Sequence, residues 1–217
     1  MDKLRLRFEK TGRAVYISHL DLMTTMQRAF ARAGLELKYS EGFNPHPLIS
    51  ILLPLSVGTA SVCELMDFRL RGDTELDTLP DRLTAALPEG IRVLEVYPSE
   101  RKSVQLKWLE VSGSFEYDSG APEKEELEAF FRQPEIVIEK KTKRGIGMTD
   151  IRTAIERIAF AEERENILVQ TRISAQEPTL NPELLAVALR QLRPDLAPDF
   201  AEFTRLETYD SDMRVYR

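Results

Sequence analysis

The sequence predicts an α+β chain made of two tandem ferredoxin-like (βαββαβ) halves. Twice along its 217 residues, alternation at the strand period gives way to helical spacing in the order strand, helix, strand, strand, helix, strand. Between the two runs, Pro and charge concentrate in PSERKS, Pro98 to Ser103, as expected at a domain boundary. The halves are therefore placed at 1–98 and 103–217.

Leu4, Leu6 and Phe8 alternate with Lys3, Arg5 and Arg7, which predicts a first strand with one basic face. Ser18 stands where an N-cap belongs, and Leu22, Met23, Met26, Phe30 and Ala33 then recur at helical spacing up to Gly34, predicting a helix over about 19–33. SEGFNPHP, Ser40 to Pro47, sets two prolines around a histidine and must be a loop. LISILLPL and CELMDFRLRG read as strands, the first apolar enough for burial on both faces. TLPDRLTAALPEG supplies a helix with Pro80 near its first turn, and IRVLEVYP a closing strand. In the second half LKWLEVSGSFEY, PEKEELEAFFRQ, EIVIEKK, NILVQTRI, LNPELLAVALRQL and FAEFTRLETYD repeat the order of elements. An insertion near 142–164 separates the two middle strands, and its Ile151, Ile155, Ile158 spacing leaves a helical turn and an extra strand both open.

Composition narrows the class. Apolar residues make up 42% and charged residues 30%, and 10 Gly with 12 Pro exclude collagen and low-complexity disorder. The lone Cys63 excludes a disulfide scaffold and a Cys-rich metal or iron–sulfur site. No apolar run approaches the roughly 18–20 residues of a membrane helix and MDKLRLRFEK lacks a secretory core, so a cytoplasmic protein with no membrane partner is expected. Net charge is −6, yet residues 1–50 carry 8 Lys/Arg against 5 Asp/Glu, so a local basic face stands out from an acidic chain.

Three segments are more specific: ISHLD (Ile17 to Asp21), YSEGFNPHP (Tyr39 to Pro47), and PLSVGTAS (Pro54 to Ser61) followed by Glu64 and Asp67. In this order and spacing they resemble an uncharacterised bacterial family of radical-SAM-linked proteins, encoded beside or fused to radical S-adenosylmethionine proteins that carry a cobalamin-binding-type domain. The resemblance is strongest over about residues 3–70. It implies a radical SAM/cobalamin-domain protein as partner, and it brings no catalytic residue with it. The chain has no CxxxCxxC run, so it resembles the stand-alone partner and holds no cluster of its own.

The candidate site residues come from these motifs. His46, held between Pro45 and Pro47, is presented rigidly beside Asn44, and Phe43 offers a stacking face or else plugs the core. His19, at a helix N-terminus, either completes the cap or supplies a neutral imidazole. His19 and His46 together could serve as base and acid in metal-independent RNA cleavage. Arg5 and Arg7, with Tyr39 and Phe43, form a candidate RNA face on the open sheet, and Lys141, Lys143 and Arg144 in KKTKRG form a second basic cluster. Asp21, Glu64 and Asp67 are candidate site-lining acids, with one of the latter two either capping or pairing an arginine. They fall short of a metal site, and GxGxxG, GxxxxGK[ST], HExxH and GxSxG are all absent, so neither metal nor cofactor is assigned. The leading expectation is an RNA-binding accessory protein for tRNA or another structured RNA. The competing ones are an endoribonuclease or RNA-modifying enzyme, and a protein–protein adaptor that binds no RNA.

Overall fold

The computed structural model describes residues 3–72, 74–142 and 145–217. It is a mixed α+β structure with four α-helices among the described residues. The chain divides into two compact units, Met1–Gln105 together with Arg217, and Leu106–Tyr216.

In the first unit β1 (Leu4–Lys10) leads through a 3-10 turn at Gly12–Tyr16 into α1 (His19–Arg32). Next come β2 (Ile49–Ile51), β3 (Ala60–Phe68), α2 (Leu79–Thr84) and β4 (Ile91–Pro98). β1 pairs antiparallel with β3 and β4, and β2 with β3, giving the order β4-β1-β3-β2. Leu4, Leu6 and Phe8 face Leu22, Met26 and Phe30 of α1 and Leu79 and Leu83 of α2 in one core. Burying each such side chain contributes about 1.5–3 kcal/mol. The helix begins where Ser18 Oγ accepts from the Asp21 N–H at 3.2 Å and lies 2.6 Å from Asp21 Oδ2. Gly90, at φ +86, closes the turn before β4, where a Cβ would stand 2.4 Å from the Thr11 carbonyl oxygen.

The second unit comprises β5 (Trp108–Glu116), α3 (Lys124–Phe131), β6 (Val137–Thr142), β7 (Gly145–Asp150), β8 (Ile155–Glu163), β9 (Asn166–Ser174), α4 (Glu183–Leu192) and β10 (Phe200–Tyr209). Its sheet runs β10-β5-β9-β8, antiparallel throughout. Phe115 anchors the core, with ring centroids 6.3 Å from Phe160 and 6.1 Å from Phe203. β6 and β7 make a separate two-stranded ribbon. Gln191 of α4 holds its outer strand, accepting from the Glu139 N–H at 2.8 Å and donating to the Glu139 carbonyl at 2.9 Å.

Two strand expectations need correction. LISILLPL yields only the three-residue edge strand β2, while β3 is the strand buried on both faces. In the second half, EIVIEKK pairs with part of the insertion as the ribbon, and the outer partner of β9 is β8, which lies wholly within the insertion. β8 escapes a periodicity reading because only Ile155 and Phe160 along it are buried.

Candidate functional site

The expected basic face of β1 does not exist as a solvent surface. Arg5 is 0% exposed and donates from Nε at 2.7 Å and Nη2 at 3.2 Å to the two oxygens of Asp67, its cross-strand partner in β3. The same Nη2 donates to the Arg101 carbonyl, and Ser99 Oγ donates to Asp67, so the segment after β4 folds over the pair. Arg7, whose side chain is 19% exposed, lies opposite Glu95 of β4 at 3.7 Å. A buried arginine keeps its charge, so strand alternation sends it to the face where a carboxylate waits. Asp67 is thus the acid that pairs an arginine. Lys3, 44% exposed at its side chain, adds a second cation at 2.6 Å from Asp67.

The loop from Tyr39 to Pro47 is held by its own residues. Tyr39 and Pro47 bridge, and the Ser40 N–H donates to the His46 carbonyl at 2.8 Å. Ser40 Oγ accepts from the His46 N–H at 3.1 Å and lies 2.9 Å from His46 Nδ1. Which of the two donates in the Ser40 Oγ–His46 Nδ1 contact depends on the imidazole tautomer. Gly42, at φ +121, supplies the positive-φ position that the turn requires. Phe43 at the tip is 106% exposed, which overturns the core-plug alternative. Asn44 beside it is also exposed, and Tyr39 is 49% exposed at the base.

Beneath the loop lies a groove of about 410 Å³ whose lining includes Lys3, His46, Ser50, Asp67 and Arg69. Arg69 is exposed and is fixed by its backbone, which accepts from the Lys38 N–H at 2.8 Å and donates to the Leu48 carbonyl at 3.2 Å. Periodicity alone missed Arg69; the only signal was its place in FRLRG, just past the last core residue of a strand. The groove offers cationic donors and one imidazole, and the loop that supplies the imidazole also carries the exposed Phe43 ring.

His19 is not part of it. His46 shares its groove with Lys3 at the start of β1, and with Phe68, which pairs Leu4. His19 follows the Gly12–Tyr16 turn, which is tied to the far end of β1 by Lys10 Nζ donating to the Val15 carbonyl at 2.9 Å. Seven strand residues at about 3.3 Å each put roughly 20 Å between those ends, so His46 and the turn that precedes His19 are tied to opposite ends of β1. His19 Nδ1 is buried with no hydrogen-bond partner among the described residues. Asp21, expected as a site acid, instead completes the Ser18 cap. Glu64 is 2% exposed and interacts with Lys10, itself 1% exposed. Burial pulls the Lys10 ammonium below its ordinary range, and the Glu64 charge opposes that shift.

Lys143 and Arg144 lie outside the described residues, and Lys141 is described by its backbone alone, within β6. Cations on the sheet of the second unit are already engaged. Arg172 donates to Glu110 at 3.0 Å and sits 5.0 Å from the Tyr209 ring centre, and Arg157 pairs with the same Glu110. Glu123, Glu125 and Glu162 of the second unit bring carboxylate oxygens within 4.8 Å of one another, and all three are exposed.

A family model described as an uncharacterized protein conserved in bacteria (DUF2344) matches residues 3–182. No curated protein matches the chain. Among solved structures, a chain in the crystal structure of a Cbf5-Nop10-Gar1 complex is similar at a TM-score of 0.53 and 10% identity, over 94% of this chain. The match spans 48% of that chain, about half its length. The crystal structure of an unknown protein from Galdieria sulphuraria matches at 10% identity over 94% of this chain and 98% of that one, with a TM-score of 0.27.

Proposed function

We propose that this chain, which belongs to the uncharacterized family conserved in bacteria whose model it matches, is an RNA-binding accessory protein for tRNA or another structured RNA. The observation that carries the reading is Phe43, fully exposed on a hydrogen-bonded loop whose His46 lines a groove together with Lys3 and Arg69. An exposed ring on a fixed loop gives an unpaired base a face to stack on, and the cations of the groove suit the adjoining phosphates. The radical SAM/cobalamin-domain partner is inferred from ISHLD, YSEGFNPHP and PLSVGTAS. A cytoplasmic location is part of the same proposal, with the single, buried Cys63 as its support; among the described residues no helix is long and apolar enough to cross a membrane.

We further infer that each unit is a ferredoxin-like half. The orders β4-β1-β3-β2 and β10-β5-β9-β8, each with a helix after its first strand and another before its last, support that reading, with the ribbon as an addition to the second. The likeness to the chain of the Cbf5-Nop10-Gar1 complex bears on layout alone.

The test is anisotropy of labelled bulk tRNA over a salt series. Phe43→Ala weakens binding with the salt slope unchanged, and Arg69→Gln lowers the slope by about 0.7–0.9. Absence of RNA affinity at low salt, with a radical enzyme still captured, would establish the adaptor instead.

A further inference from the structure

We infer that the groove between α1 and α2 is a second phosphate-contacting site, taking the phosphodiester backbone of nucleic acid. The inference rests on the RNA-binding reading and locates where the backbone runs beyond the 40–47 loop. The groove is about 580 Å³, and its lining includes Thr25, Arg28, Arg32 and Arg82 with the chain from Ala85 to Pro88. It gathers three guanidiniums with no carboxylate among its described lining residues, in a chain of net charge −6.

Two of the three have a local reason to be there. Arg32 donates from Nε at 3.1 Å and from Nη2 to the Ala86 carbonyl, and Arg82 Nη2 donates to the Ala33 carbonyl at 2.8 Å. Both carbonyls lie just past helix ends, where a cation is favoured. Each guanidinium keeps the rest of its five N–H donors for a ligand, already oriented by its carbonyl.

Arg28 has no such reason. It is exposed and makes no hydrogen bond or ion pair among the described residues. It stands one helical turn before Arg32, and like charges at i and i+4 repel. A phosphate seated between them converts that repulsion into a charge-assisted clamp, and the Thr25 hydroxyl on the same groove adds a neutral donor. A run of phosphates suits three guanidiniums around an open groove better than a single small anion does.

The experiment is the salt dependence of bulk tRNA binding by the full chain, for wild type, Arg28→Gln, Arg28→Lys and Phe43→Ala, none of which alters a hydrogen bond described above. Arg28→Gln lowers the slope of log K against log salt by about 0.7–0.9 and Arg28→Lys restores most of it, because a counterion is released only where a phosphate is contacted. An unchanged slope in Arg28→Gln, with Phe43→Ala still weakening binding, overturns this inference and leaves the loop reading standing. A reduced slope with Phe43→Ala silent does the reverse. No binding by wild type removes both. Titration with inorganic phosphate, followed by NMR of the arginine side chains, supplies the remaining arm. Saturation at Arg28 without any slope change in RNA binding would make the groove a small-anion site and overturn the backbone assignment.

Discussion

Arg5 and Asp67 meet directly across β1 and β3, two guanidinium bonds ending on the one carboxylate, with the arginine shut away from solvent. The pair joins the sheet to the segment after β4, because Arg5 also donates to the Arg101 carbonyl. Breaking it by Asp67→Asn leaves Arg5 buried without its counter-charge and should cost about 3–5 kcal/mol in urea unfolding. Lys3→Gln removes the partly exposed cation from the same carboxylate and should cost no more than about 1 kcal/mol. Equal effects of the two substitutions would show that burial at Arg5 does not set the energetics.

Tyr117 donates to the Leu196 carbonyl at 3.1 Å, and burial, aided by the Asp199 charge, pushes its phenol up to about 12. The folded state then holds a proton that the unfolded state releases near pH 10, so this contribution is complete below pH 10 and is lost as pH rises through about 12. An alkaline absorbance titration should show a late tyrosine phase near pH 12. In Tyr117→Phe that phase should lose the amplitude of one tyrosine and the alkaline fall in stability should become shallower.

Gly113 lies on β5 where an added Cβ would stand 2.5 Å from the Phe203 ring and 2.6 Å from the Glu202 carbonyl oxygen. Gly113→Ala should therefore destabilise by about 1–3 kcal/mol through overpacking. Gly147→Ala, which meets nothing within 4 Å, is the control and should melt with the wild type. Thermal unfolding of the two side by side decides it.

Ser40→Ala removes both the acceptor for the His46 N–H and the partner of His46 Nδ1. A loss of about 0.5–1.5 kcal/mol is expected from the first of these, local to the loop. Backbone NMR should report faster amide exchange at His46, and RNA affinity should fall along with it. Phe43→Ala, by contrast, should lower affinity with no change in melting, since that ring touches no core.

The bounds of β1 and α1 were legible because alternation in LRLRFEK and the Ser18 cap are local signals. The fate of Arg5 was not, because a period of two assigns a residue to a face without saying what covers that face. Only a partner 62 positions away settles it. The exposed 40–47 loop was readable from its two prolines, whereas the groove under it depends on Lys3 and Arg69, brought together by strand register. The two histidines looked paired because they were the only two. Their separation follows from the length of one strand and the crossover of one helix, which no motif encodes.

Gln191 reaches from α4 with the same acceptor and donor that a neighbouring strand would present to Glu139, so a single side chain imitates a strand at that position. An uncovered ribbon edge is a template for sticky self-association between molecules, and occupying both backbone groups in its middle denies such a strand its register. The same clasp couples the helix to the ribbon: neither can fray without releasing the other, so amide exchange in β6 should keep step with opening of α4.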